Sequence, residues 1–336
     1  MVRVWLRCDL RSPEFGTKTR DLARIHIEQA SWADRHGFEA VVLGEHHGFS
    51  DGFNPSPMVL GAAIAARTSQ MRVHPSALLL PLHDPIRVAE DIAVLDNISG
   101  GRVDLTIGLG YVKSEFAMYG VRLEDRARLA ESKFEALKRA LRGEKFVYEG
   151  RDVYITPRPV QNPHPPFYFG GGVKASARRA ALLGDGFLPT SPDPQLRELY
   201  VSTCRDIGKE PGPIIDFLTG PQFIYVTEDP DRAWHDVAPH ALHETNSYSK
   251  LLAESGTIAP YKFMSSLEDL KDSGLYAVVT PDECVALARK LERSGSIMSF
   301  NPTMSGMNES LSWSSLELFA SKVLPRLTST DAASPE

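Results

Sequence analysis

The sequence predicts an α/β protein built as a (β/α)8 barrel of the TIM type. Short apolar runs alternate with longer amphipathic ones in about eight units, and such alternation makes a parallel sheet covered by helices. Composition stays even over all 336 residues, so one large domain fits. That domain is set at 1–328, with 329–336 as a C-terminal tail. A doubly wound open sheet gives the same alternation and is the second fold considered.

The elements follow in order. "VRVWLRC" reads as a strand, and "RDLARIHIEQASWADRHG" as a helix with Leu22, Ile25, Gln29, Trp32 and Ala33 near helical spacing and Gly37 as its stop. "EAVVLG" is strand two. "PSPMVLGAAIAARTS" is a helix with proline in its first turn. "MRVHPSALLLP" is strand three, where the internal proline predicts a bulge. "DPIRVAEDIAVLDNISGG" is a helix capped by Asp84 and ended by Gly100 and Gly101. "RVDLTIGLG" is strand four, and "LEDRARLAESKFEALKRALRG" its helix. "KFVYEGRDVYITPRPVQNPHPP" breaks the rhythm as a two-stranded insertion turning at Glu149-Gly150. "FYFGGG" with "KASARRAALLG", then "DGFLPTS" with "PQLRELYVSTCRDIG", give units five and six. "PQFIYVTED" is strand seven, followed by a helical region to about Glu254 and an irregular stretch over 256–276, a second insertion in the C-terminal third. "PDECVALARKLERSG", "SIMSFNP" and "SSLELFASKVLPRL" close the chain as helix, strand and helix.

Bulk properties narrow the function. Lys and Arg number 37 against 43 Asp and Glu, a formal charge of −6, which argues against nucleic acid or an anionic membrane as partner. No apolar run is long enough to span a bilayer, and "MVRVWLRCDL" enters a strand with no signal-peptide pattern. Three scattered cysteines, Cys8, Cys204 and Cys284, fit a reducing cytoplasm rather than a disulfide or CxxC framework.

In a barrel, function sits at the C-terminal strand ends. Strand two ends in "GEHHGF". Alternation puts Ala40, Val42, Gly44 and His46 on one face and Val41, Leu43, Glu45 and His47 on the other. The bulkier odd set suits the helix layer, so His46 is expected over the barrel mouth and His47 away from it. Two adjacent histidines on opposite faces do not share a metal, and no H-x-H ends a strand, so no metal is expected. The residues alone leave His46 two readings: an acid–base group, or a strand-end residue held by hydrogen bonds. In "DLTIGLGY", Gly108 and Gly110 allow a planar ligand or backbone to come close. In "FYFGGGVKASARR", three glycines before a helix suit a phosphate, with Lys174 and Ser176 in the first turn. Cys8 ends strand one and either faces the mouth or packs as a small hydrophobe. Phe15, Phe49, Phe53, Tyr111 and Phe263 are candidate apolar walls for a substrate pocket, and "NPTMSGM" after the last strand reaches toward the same mouth.

Together, "GFEAVVLGEHHGF", "LLLPLHDPIRVAEDIAVLDNISGGRVDLTIGLGY", "EFAMYGV", "GGGVKASARRAALLGDGFLP", "TPDECVALARKLERSG" and "SLELFASKVLPRL" resemble the luciferase-like flavin-dependent oxidoreductases. The resemblance covers nearly the whole chain. It implies a (β/α)8 barrel, usually dimeric, with a flavin across its C-terminal mouth. It implies the flavin phosphate at Gly171, Gly172, Val173 and Ser176. It implies the ring against Ser76 and Ala77, where the family often carries a non-proline cis peptide. His46 matches the family's active-site histidine. One departure is Leu109, where bacterial luciferase has an arginine for the phosphate. Binding then relies on the glycine turn, Ser176 and Lys174 or Arg178. "EHH" resembles the FMN branch, whereas deazaflavin users more often show Asp-His followed by an aromatic. The resemblance thus implies a monooxygenase that takes reduced FMN from a separate NAD(P)H:flavin reductase. With O2 it would form a C4a-peroxyflavin that attacks a small aldehyde, ketone or activated carbon. The alternatives are hydride transfer with the deazaflavin coenzyme F-420, and a flavin-binding protein without turnover.

Overall fold

The computed structural model describes residues 2–191, 193–216, 220–255 and 261–328. Its elements follow the alternation of the sequence. Strand β1 (Arg3–Cys8) leads to helix α1 (Thr19–Arg35), β2 (Ala40–Leu43) to α2 (Pro57–Ala65), and β3 (Arg72–Leu78) to α3 (Pro85–Ser99). After β4 (Leu105–Ile107) come the short α4 (Lys113–Met118) and α5 (Arg126–Leu141), then the hairpin β5 (Phe146–Tyr148) and β6 (Arg151–Val153). β7 (Phe167–Gly171), α6 (Lys174–Leu183), β8 (Gly186–Pro189) and α7 (Pro194–Asp206) follow. The C-terminal third holds β9 (Phe223–Val226), α8 (Pro230–Ser255), α9 (Leu267–Asp272), β10 (Tyr276–Val279), α10 (Pro281–Arg293), β11 (Ile297–Phe300), α11 (Glu309–Leu318) and α12 (Leu324–Thr328).

Seven strands form one parallel sheet in the order β11-β1-β2-β3-β4-β7-β8, and β9 pairs in parallel with β10. Pro213 and Ile215 hydrogen-bond to Phe187, which lays the segment before β9 along β8. The result is an α/β, TIM-barrel-like fold. Side-chain alternation sorts two layers. Trp5, Ala40, Val42, Leu188, Ile215 and Ile297 pack together inside the curl. Val4, Leu6, Cys8, Val41 and Leu43 join the larger cluster with Leu60 and Ile64 of α2, on the helix side. Burying each such aliphatic side chain contributes about 1.5–3 kcal/mol.

Local signals set the boundaries. Asp84 accepts hydrogen bonds from the Ile86 and Arg87 amides at the start of α3, and Gly100 ends it in the left-handed region. The hairpin turns at Glu149 and Gly150, both with positive φ (48° and 75°), as a two-residue turn between right-twisted strands requires. The pairing of β3 with β4 shifts register between Ser76 and Leu78, just beyond Pro75, where a bulge was expected.

Three elements were not anticipated. α4 lies in what reads as a loop. α9 and β10 lie within or just beyond the stretch taken as irregular, of which 256–260 fall outside the described residues. α9 and β10 join a separate apolar cluster with Phe223, Trp234, Val237 and Met307. The tail, 329–336, also falls outside the described residues.

A cavity of about 290 Å³ opens at the opposite, N-terminal ends of the strands, lined by Arg3, Trp5, Glu39, Arg72, Asp104 and Tyr168 among others. Its charges are matched: Arg3 bonds Glu39 and Arg72 bonds Asp104. In barrels this end serves stability, and chemistry belongs to the other.

Candidate active site

The loop after β2 is closed by a hydrogen bond from the His46 amide to the Asn54 carbonyl (3.0 Å). This holds the His46 ring beside Phe53, Phe49, Tyr248 and Tyr111, with centroids 4.5, 5.4, 5.9 and 6.1 Å away. His46 Nδ1 lies 2.8 Å from Glu115 Oε1, and the His47 amide donates to the same oxygen at 2.9 Å. Glu115 comes from α4 and its side chain is fully buried. Its second oxygen has no partner among the described residues. A carboxylate accepting from Nδ1–H leaves the neutral imidazole's lone pair on Nε2, the atom then free for proton transfer. Burial pushes the phenols of Tyr111, Tyr248 and Tyr261 up, so all three stay protonated donors at neutral pH.

The aromatic wall is tied down by a buried cation. Arg11 bonds Asp51 and Glu244 and lies over the rings of Phe53 and Tyr248, 5.0 and 5.7 Å from their centroids. Glu244 also accepts from the Ser305 hydroxyl (3.0 Å), and Asp51 from His243 (2.8 Å). The loops after β1, β2 and β11 are thereby joined to α8. Nothing in the sequence singled out Arg11, Glu244 or Tyr248. An arginine just beyond a strand end was the available signal.

Ser76 and Ala77 are joined by a cis peptide. A Cβ on Gly44 would stand 3.8 Å from the Ser76 carbonyl oxygen and 3.9 Å from Phe53, so this segment runs directly beside the His46 loop. The sequence lets a planar ligand or backbone come close at Gly108 and Gly110. In the structure a Cβ at Gly108 would meet Ala77 Cβ at 2.8 Å, and one at Gly110 would meet the Phe116 ring at 2.7 Å. Both glycines are therefore required by the protein's own packing at the Ser76–Ala77 segment and α4.

The glycine turn opens α6. A Cβ on Gly171 would overlap Ser176, and one on Gly172 would stand 3.0 Å from the Thr190 hydroxyl and 3.4 Å from Ser191. The Ser176 hydroxyl accepts from the Val173 amide and donates to its carbonyl, so it shapes the turn. Val173, Lys174 and Arg178 are exposed. Narrow glycines, a helix N-terminus and the Thr190 and Ser191 hydroxyls fit a phosphate. Those two hydroxyls were missed because they follow β8, in a different unit of the chain.

Cys8 requires a correction. It was offered as a pocket residue, but it shares the helix-facing side of β1 with Val4 and Leu6, inside the main core. Burial pushes its thiol well up, so it stays neutral. Phe15 and Phe263 are exposed rather than set against His46, and Phe15 packs on His240 and His243. The "NPTMSGM" loop is buried, and its Ser305 touches Glu244.

His46 and His47 enter different clusters. His47 Nε2 and His83 Nε2 both approach Glu45 Oε1, at 2.8 and 2.5 Å. The Leu79 amide donates to Glu45 Oε2 (2.7 Å), and the Tyr119 hydroxyl lies 3.1 Å from His47 Nδ1. Sequence reading paired His47 only with His46 and so missed His83, which follows β3.

The luciferase-like monooxygenase profile matches residues 8–296. The chain belongs to that family. Among curated relatives, the uncharacterised protein y4wF of Sinorhizobium fredii is 37% identical over 53% of this chain and 54% of its own. The chain thus spans about half the length of that relative. Limonene 1,2-monooxygenase of Rhodococcus erythropolis is 29% identical over 82% of this chain and 73% of its own. Two solved structures share the fold. The oxygenating constituent of Pseudomonas putida 3,6-diketocamphane monooxygenase, a type II Baeyer-Villiger enzyme in complex with FMN, superposes with TM-score 0.73 at 20% identity, covering 97% of this chain and 98% of its own. A coenzyme F-420-dependent secondary alcohol dehydrogenase superposes with TM-score 0.71 at 15% identity, covering 98% and 99%. Among the described residues no helix is long and apolar enough to cross a membrane.

Proposed function

We propose that this chain is the oxygenase of a two-component monooxygenase, using reduced FMN and O2 on a small organic substrate such as an aldehyde or ketone. The observation that carries this reading is the His46–Glu115 pair, 2.8 Å apart, inside an aromatic wall and beside the Ser76–Ala77 segment. The bound FMN supplies the activation of dioxygen. Its ring would lie against Ser76 and Ala77, and its phosphate at Gly171, Gly172 and Val173 with Thr190 and Ser191. Ser176 keeps that turn in shape. His46 holds or moves a proton at Nε2, with Glu115 fixing the ring through Nδ1. Phe49 and Phe53 keep water from the reacting atoms, and Tyr111 and Tyr248 offer phenol donors to an oxygen on the substrate.

The limonene relative supports an oxygenase, and the words "oxygenating constituent" for the camphane neighbour support a separate component, which we read as an NAD(P)H:flavin reductase. We further read the curled sheet as a (β/α)8 ring closed by residues 213–215 along β8 and by β9 beside β11, with insertions after β4 and in the C-terminal third. The second reading is hydride transfer with coenzyme F-420, favoured by the same imidazole–carboxylate pair, which suits acid–base chemistry at a carbonyl.

Anaerobic titration with reduced FMN and with reduced F-420, followed by admission of air, separates the two. Tight FMN binding and an oxygen-dependent transient are expected. Binding of F-420 alone, with no reaction with oxygen, would overturn the oxygenase reading. His46→Ala should then cut product formation by about 10²-fold or more with little change in flavin affinity. A loss confined to flavin affinity removes the catalytic role.

A further inference from the structure

We propose that Glu45, His47 and His83 form a binding site for a divalent ion of the zinc class, separate from the flavin site. The three residues offer one ligand atom each within 4.8 Å of one another. Two imidazoles and one carboxylate are a sufficient donor set for such an ion, with a position left for water. The residues come from two places, the loop after β2 and the turn after β3, so they are fixed by the sheet rather than by one mobile segment. The side chains of Glu45 and His47 are buried, while that of His83 is 26% exposed, which leaves an approach from its side.

The surroundings are arranged for coordination. The Glu45 carboxylate is held between the His47 and His83 rings and the Leu79 amide. The Leu79 amide occupies Oε2, which presents Oε1 as the ligand. The Tyr119 hydroxyl beside His47 Nδ1 donates or accepts equally well. His47 can thus keep its proton on Nδ1 and turn the Nε2 lone pair toward the ion, the outer-shell orientation usual for metal-bound histidine. Without an ion the same atoms close as hydrogen bonds. Coordination at about 2.0–2.2 Å from each atom sets ligand atoms about 3.3 Å apart, so the His47 and His83 rings, now 2.8 and 2.5 Å from Glu45 Oε1, would each move outward by under about 1 Å.

Chelator-stripped protein is titrated with zinc chloride in competition with a chromophoric chelator. Wild type should take up one equivalent and gain in thermal midpoint. His83→Ala should lose that equivalent by at least about tenfold in affinity, and His235→Ala, at an exposed histidine, should retain it. Cobalt(II) on wild-type protein gives a readout that needs no variant, with paramagnetically shifted signals from two imidazoles. The proposal fails if wild type takes up no equivalent, if His83→Ala binds as tightly as wild type, or if fewer than two imidazoles shift. None of these readouts depends on flavin or on turnover.

Discussion

Glu115 sets what His46 can do. Among the described residues it is the one carboxylate on the imidazole, and the same oxygen holds the His47 amide, so it fixes both the ring and the loop that carries it. Glu115→Gln keeps the volume and removes the charge. Turnover should fall by about 10²-fold and the pH profile of kcat should move, while reduced-flavin affinity stays within a few-fold of wild type. Equal loss of flavin binding would make Glu115 merely structural. His46 was legible in the sequence because strand alternation aims it and the apolar run before it marks a strand end. Glu115 was not, because "KSEFAM" is too short for a helical period and a carboxylate beside lysine and serine looks like surface. Its burial follows from Phe116, which packs under Gly110 and draws the turn inward. Cys8 shows the converse: of the two places a strand-end cysteine offers, pocket or core, the structure takes the core, where Cys8 packs with Val4 and Leu6.

At the scale of elements, α2 is the telling case. "PMVLGAAIA" is apolar on every side, and a helix of that kind is normally covered all round. One side packs on the sheet through Leu60 and Ile64, yet Val59 is 71% exposed, as are Val94 and Ile98 of the adjoining α3 at 45% each. A second copy would cover such a face, and the family resemblance implies a homodimer. Wild type should run as a dimer by light scattering, and Val59→Asp should run as a monomer with unchanged circular dichroism. A monomeric wild type would remove the dimer. Elements with strong punctuation were legible: α3 by its aspartate cap and glycine exit, the hairpin by Glu149-Gly150. β10 was passed over although "YAVV" before Thr280-Pro281 is a fair strand signal. It follows a stretch with no clear period, and its partner β9 is more than 50 residues earlier by sequence number.

The whole molecule divides its charges by depth, and its acid sensitivity follows. His26 and His74 are buried, and burial pushes both imidazoles down to about 4 from 6.5. Between those values the unfolded chain binds protons that the folded chain refuses, so stability rises with pH across that window and is complete above 6.5. Asp9 acts in the opposite sense. Burial and the nearby Glu244 raise it to about 6 from 3.8, so ionising it costs stability as pH rises through that range. Two histidines against one carboxyl leave the balance with the histidines, and below 4.5 Glu45 adds to the acid loss as its carboxylate begins to be protonated in the unfolded chain. The thermal midpoint should therefore fall from about pH 7 to about pH 4.5, each proton contributing up to about 1.4 kcal/mol per pH unit. His74→Gln can still meet the Thr106 hydroxyl, 2.8 Å from His74 Nε2, without titrating. It should flatten the profile by up to one proton's worth and leave the midpoint at neutral pH nearly as before. A profile equally steep in the variant, or flat in wild type, would mean that these imidazoles are not held neutral in the folded chain.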